Sequence, residues 1–100
     1  MVGMASATPV LDYRADLEDE FIVAVKVWRV PTPVLGSVHS FKYSLFFGRP
    51  GERLVGYDNE RGKGDHRHYG DYEEPYIFVS IEKLMADFGA DIERVKGSLW

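Results

Sequence analysis

Two of the chain's three histidines, His66 and His68, stand one residue apart within YDNERGKGDHRHYGDYEEPY, residues Tyr57 to Tyr76. The same stretch holds the glycine-spaced turn Gly62-Lys63-Gly64 and the carboxylates Asp58, Asp65, Asp71, Glu73 and Glu74. A hydrophobic core has no use for such groups, because each must be paired or hydrogen-bonded before it can be buried. Any chemistry the chain performs is therefore expected here. In an extended segment His66 and His68 project to the same side. A same-side imidazole pair suits proton transfer, since histidine changes charge near about pH 6.5. RNA brings its own nucleophile, the 2′-hydroxyl, and needs only a base, an acid and a cation for the phosphorane. The histidines supply the first two, and Lys63, with Arg61 and Arg67 nearby, supplies the third. Gly62 and Gly64 would let backbone N–H groups approach a phosphate closely.

Other uses of the same residues stand beside this one. His66 and His68 with Asp58, Asp71 or Glu73 have the composition of a zinc or manganese site, but a lone His-x-His is a weak signal, and the expectation is no metal and no cofactor. In a purely architectural role, Asp58 and Asn59 cap a turn, the histidines bond to carboxylates, and the loop ties a strand to a helix. Carboxylates outnumber Lys and Arg between Tyr57 and Tyr76, which works against electrostatic RNA binding and favours the rival function, a non-catalytic protein-binding module. His39 is expected as a core or sheet-edge histidine. Trp28, Trp100, Phe41, Tyr43 and Phe47 are expected in the core rather than as a base-stacking platform.

At 100 residues the chain is one domain, residues 1–100, with Met1 to Ala7 small, featureless and expected to be mobile. The absence of cysteine excludes disulfides, thiolate metal sites and cysteine nucleophiles. A net charge of −4 gives no general attraction to nucleic acid or anionic membrane, so any contact with phosphate is local. No segment approaches the roughly 18 apolar residues of a membrane span. The start MVGMASATPV lacks the basic and apolar regions of a signal peptide. A soluble cytoplasmic protein with no membrane partner is the expectation.

FIVAVKVWRV alternates Phe21, Val23, Val25 and Val27 on one side with Ile22, Ala24, Lys26 and Trp28 on the other, a strand that Pro31 and Pro33 end. SVHSFKYSLFF alternates Phe41, Tyr43, Leu45 and Phe47 with Ser40, Lys42 and Ser44, a second strand. Gly48-Arg49-Pro50-Gly51 is turn chemistry leading to a third strand, Glu52 to Asn59, and Tyr76 to Val79 makes a short fourth. Ser80 reads as the N-cap of a helix whose apolar positions Ile81, Leu84, Met85, Phe88, Ile92 and Val95 recur at helical spacing, with Gly97 as its stop. Thr8 to Glu20 fits a short helical turn or an edge strand equally well. The fold class is α+β: an antiparallel meander of three to four strands with the C-terminal helix on one face. One helix leaves sheet edges and a second face to cover, so a homodimer is expected.

The run VGYDNERGKGDHRHYGDYEEPYIF, followed by SIEKLMADFGADIERV, resembles the TumE family of toxin-antitoxin proteins over roughly Phe21 to Val95. In that family a Tyr-Asp-Asn, a Gly-Lys-Gly-Asp-His-x-His segment and a Glu-Pro-Tyr precede the last helix. The resemblance implies the toxin of a two-gene module, neutralised by a cognate antitoxin that often carries a helix-turn-helix. It implies as site residues Tyr57, Asp58, Asn59, Lys63, Asp65, His66, His68, Glu74 and Tyr76. Gly56 stands where the pattern leads one to expect arginine, which removes a cation from the site.

Overall fold

The computed structural model describes residues 7–99; the expected mobile segment, all but Ala7, and Trp100 lie outside the described residues. The chain forms one antiparallel sheet of six strands in sequence order: β1 (Thr8–Asp16), β2 (Ile22–Arg29), β3 (Phe41–Arg49), β4 (Glu52–Glu60), β5 (Gly64–Tyr69) and β6 (Tyr72–Pro75). A helix, α1 (Ile81–Leu99), follows. The α+β meander is as expected, but six strands replace the expected three to four.

Three segments account for the difference. Thr8–Asp16 is a full edge strand paired with β2, and the short helical turn allowed for the same stretch also exists, as a 3-10 turn at Glu18–Glu20. The histidine segment is a strand rather than a loop. Its ladder with β4 runs from Val55↔Tyr69 to Glu60↔Gly64. The last strand is Tyr72–Pro75 instead of Tyr76–Val79. Tyr76 N–H still reaches the Asp65 carbonyl at 2.9 Å, after which the chain leaves the sheet for the helix.

Alternation decides what each face carries. On one side Phe21, Val25, Val27, Tyr43, Leu45, Phe47, Val55 and Tyr57 meet Leu84 and Phe88 of α1 and form the core. Phe21 and Phe47 stack at 5.3 Å, and Tyr57 meets Tyr76 and Phe88 edge-on. The helix spans about 28 Å at 1.5 Å per residue and lies chiefly along β4. Ser80 caps it as expected, its Oγ accepting from Lys83 N–H at 3.0 Å. Gly97 does not stop it, because the helix continues to Leu99. Among the described residues the other sheet face has no helix on it. It carries Ala24, Lys26, Trp28, Lys42, Ser44, Phe46, Asp58, His66 and His68.

Candidate functional site

The β4–β5 hairpin sorts the residues between Tyr57 and Tyr76 onto two faces. Register opposes Asp58 to His66 and Gly56 to His68, so these side chains share the uncovered face. Tyr57, Asn59, Asp65 and Arg67 occupy the alternate positions and point toward the helix side. Arg61, Gly62 and Lys63 form the turn between the strands, where Lys63 N–H bonds the Glu60 carbonyl at 3.0 Å.

On the uncovered face a cavity of about 290 Å³ is lined by His66 and His68, the cations Arg53 and Lys63, and the carboxylates Asp58, Glu60, Asp71 and Glu73. Lys63 lies 3.7 Å from both Glu60 and Glu73, and Arg61 is exposed with no ion pair among the described residues. His68 Nε2 is 3.4 Å from Asp58 Oδ1, and His68 Nδ1 is 3.0 Å from the Arg53 guanidinium. A guanidinium only donates, so Nδ1 is the acceptor and the proton of the neutral ring sits on Nε2, facing Asp58. His66 Nδ1 is 3.2 Å from the Gly64 carbonyl, which only accepts. That contact places the proton of His66 on Nδ1 and leaves its Nε2 lone pair free.

Arg53 was not visible as a site residue in the sequence. Between Phe47↔Val55 and Gly48↔Arg53 the β3–β4 register slips by one residue, making Leu54 the extra residue of a bulge. Strict alternation from Val55 would aim Arg53 at the helix; the bulge turns it to the uncovered face instead. Its side chain then crosses Gly56 so closely that a Cβ there would lie 2.6 Å from Arg53 Cδ. Gly56 therefore does not deprive the site of a cation. It makes room for one supplied three residues earlier.

The helix-side residues do a different job. Asn59, with 0 % of its surface exposed, accepts Tyr43 N–H at 2.9 Å and donates to the Phe41 carbonyl at 2.6 Å and to Ser37 Oγ at 3.3 Å. Its carboxamide thus continues the β3–β4 ladder one step past the last backbone pair, Ser44↔Asp58. Asp65 accepts from Ser37 Oγ at 2.5 Å, His39 Nε2 at 2.6 Å and Tyr43 hydroxyl at 2.7 Å. His39, expected in the core or at a sheet edge, lies part-buried just before the central strand β3, its Nδ1 accepting Phe41 N–H and its ring 4.0 Å from that of Phe78. Gly36 and Gly64 pack backbone to backbone beneath it, a Cβ on Gly36 falling 2.8 Å from Gly64 N. Glu74 pairs with Arg67.

Two helix carboxylates outside the histidine motif anchor the tyrosines. Asp91, only 4 % exposed, accepts from Tyr57 hydroxyl and, at 3.1 Å, from Tyr69 hydroxyl, and pairs with Arg94 at 2.7 Å. Asp87 accepts from Tyr76 hydroxyl and Lys83, each at 2.7 Å. Asp91 was discoverable, because it falls in the apolar row Leu84, Phe88, Asp91, Val95, where a carboxylate must be bonded to be buried. Burial first, and then the bonds to Asp65, Asp91 and Asp87, push the phenols of Tyr43, Tyr57 and Tyr76 well above the ordinary value. Burial opposes the charge on Asp87, yet the bonds from Lys83 and Tyr76 outweigh it and hold the carboxyl below its usual range.

Of the aromatics expected in the core, Tyr43 and Phe47 are buried there and Phe41 packs against it. Trp28 is the exception. It is half-buried on the uncovered face, because β2 places it in register with Lys26 and not with Val25 and Val27. Among the described residues no cluster of three or more His, Asp or Glu is arranged to hold a metal ion, and no helix is long and apolar enough to cross a membrane.

Among the described residues a six-stranded meander backed by one helix, with a polar histidine cavity on the bare face, defines a small α+β protein. The chain belongs to the TumE toxin family: residues 4–96 match the family described as Toxin TumE. Membership makes it a toxin-type component and implies a cognate antitoxin. No curated protein and no solved structure matches the chain at a significant level.

Proposed function

We propose that this toxin acts in the cytoplasm as a metal-independent ribonuclease whose site is the uncovered face of the β4–β5 hairpin. The carrying observation is that His66, His68, Lys63 and Arg53 line one cavity on the sheet face that no helix covers. His66 Nε2, with its lone pair free, takes the proton from the RNA 2′-hydroxyl. The 2′-oxygen then bonds to phosphorus and the bond from phosphorus to the 5′-oxygen breaks. Lys63 and Arg53 neutralise charge on the phosphorane oxygens. Once Arg53 turns to the phosphate, His68 Nδ1 is free to carry a second proton, and the imidazolium gives this Nδ1 proton to the leaving oxygen while Nε2 stays on Asp58. Asp58 holds the His68 ring in place.

A second function, a binding module without catalysis, is favoured by four carboxylates against two cations around the cavity, and by the unpaired edge of β1 with Val10 and Tyr13 exposed. Either function accommodates the antitoxin, and a homodimer can form through the same edge. Growth of a bacterial host after induction separates the two functions. Wild type is expected to arrest growth, and a soluble, folded His66→Ala/His68→Ala variant is not. Undiminished arrest by the double variant removes the histidines from the mechanism.

A further inference from the structure

Apart from the histidine cavity, the uncovered face carries a tryptophan between two lysines. Trp28 on β2 stands directly across from Lys42 on β3, and Lys26, two residues before Trp28 and on the same face, stands across from Ser44. Register then continues the row without a break: Ser44 opposes Asp58, and Asp58 opposes His66. At about 4.8 Å per strand spacing, Lys26 lies roughly 14 Å from His66 along a straight line over the sheet. A depression of about 180 Å³ is lined by Lys26, Trp28, Lys42 and Ser44.

These two lysines belong to the half of the chain's cations that no carboxylate pairs among the described residues, with Arg29, Arg53, Arg61 and Lys96. The other six, Lys63, Lys83, Arg14, Arg49, Arg67 and Arg94, sit in ion pairs. Lys26 and Lys42 are exposed and have no ion pair or hydrogen bond among the described residues, although Asp12 stands across from Lys26 on β1. Trp28 is half-buried and stands outside the core cluster. Two unneutralised ammonium groups flanking an indole complement phosphates on either side of an unpaired base. They do not suit the centre of a protein interface, where lysine is depleted because its charge must be desolvated.

Resting on the ribonuclease proposal, we infer that the open face of β2 and β3 is a single-stranded RNA track: Trp28 stacks a base, Lys26 and Lys42 hold the flanking phosphates, and the strand runs over Ser44 to His66. Double-stranded RNA does not fit this arrangement, since its bases are already stacked and paired.

The test is binding of a fluorescein-labelled oligoribonucleotide of about eight nucleotides, measured by anisotropy against salt with cleavage of the same oligonucleotide followed separately. The His66→Ala/His68→Ala background keeps the probe intact during binding. Trp28→Ala is expected to weaken binding about 10-fold or more, and Trp28→Phe to restore part of the loss. Lys26→Ala/Lys42→Ala, which leaves the core untouched, is expected to reduce the slope of log K against log salt by about 1.4, and the duplex to bind more weakly than the single strand. Binding unchanged in Trp28→Ala and in the lysine pair overturns the track, and so does a dimeric mass in solution that Lys26→Glu abolishes, since the face is then buried against a second copy. A probe held through Trp28 but never cut by wild type leaves the track standing and removes the ribonuclease function. Full-rate cutting by both track variants does the reverse.

Discussion

Asn59 separates scaffold from site more sharply than any other residue of the motif. It lies beside Asp58 in the cavity, yet its carboxamide faces the other way and is fully buried, bonded to Tyr43 N–H, the Phe41 carbonyl and Ser37 Oγ. Asn59→Ala strands one backbone donor and one backbone acceptor of β3, at about 1–3 kcal/mol each. With the lost packing, the expected destabilisation is about 3–5 kcal/mol, a large part of the roughly 5–15 kcal/mol that holds a domain together. Urea unfolding followed by tryptophan fluorescence reads this as a midpoint lowered by about 2 M, for a slope of about 2 kcal/mol per molar. Asn59→Asp keeps the acceptor for Tyr43 N–H but turns a carboxylate oxygen on the Phe41 carbonyl, and is expected to be no milder at neutral pH. A loss below about 1 kcal/mol for Asn59→Ala refutes the reasoning. Unchanged stability with lost toxicity would move Asn59 from the scaffold into the site.

Because Gly56 exists to admit Arg53, Gly56→Ala and Arg53→Ala are expected to impair growth arrest to the same degree, and the double variant no further; additive losses in a toxicity titration would show that the two act separately. Alkaline titration tests the buried phenols. Their folded values lie above the unfolded value of about 10, so their contribution is complete below that pH and falls as pH rises past it, by up to about 1.4 kcal/mol per pH unit for each phenol that stays protonated. Stability between pH 10 and pH 11, followed by urea midpoint, should therefore fall steeply in wild type and less steeply in Tyr57→Phe; identical slopes would contradict a Tyr57 phenol raised by burial and by its bond to Asp91.

Period-two alternation made β2 and β3 legible, because one face of each is apolar and the other is not. The helix was legible for the same reason at period 3.6, with Ser80 as its start. β1 was not, since TPVLDYRAD is an exposed edge whose only reason to be extended is its ladder with β2. β5 reads as a loop in the sequence because GDHRHY offers almost no apolar side chains, its uncovered face being polar and its helix-side face being filled by bonded Asp65 and Arg67. Once β5 is recognised as a strand, the odd residues 65, 67 and 69 and the even residues 66 and 68 part by simple parity.

Residue types and spacing alone determined that one small α+β domain would carry a same-side histidine pair beside a glycine-flanked lysine, because alternation and turn chemistry are local properties of the chain. Which groups meet that pair was decided only in three dimensions. The bulge at Leu54 aims Arg53 across Gly56, and the register over four strands carries Trp28, Lys26 and Ser44 toward His66. Both depend on hydrogen bonds between segments far apart in sequence, which no local pattern of residues encodes.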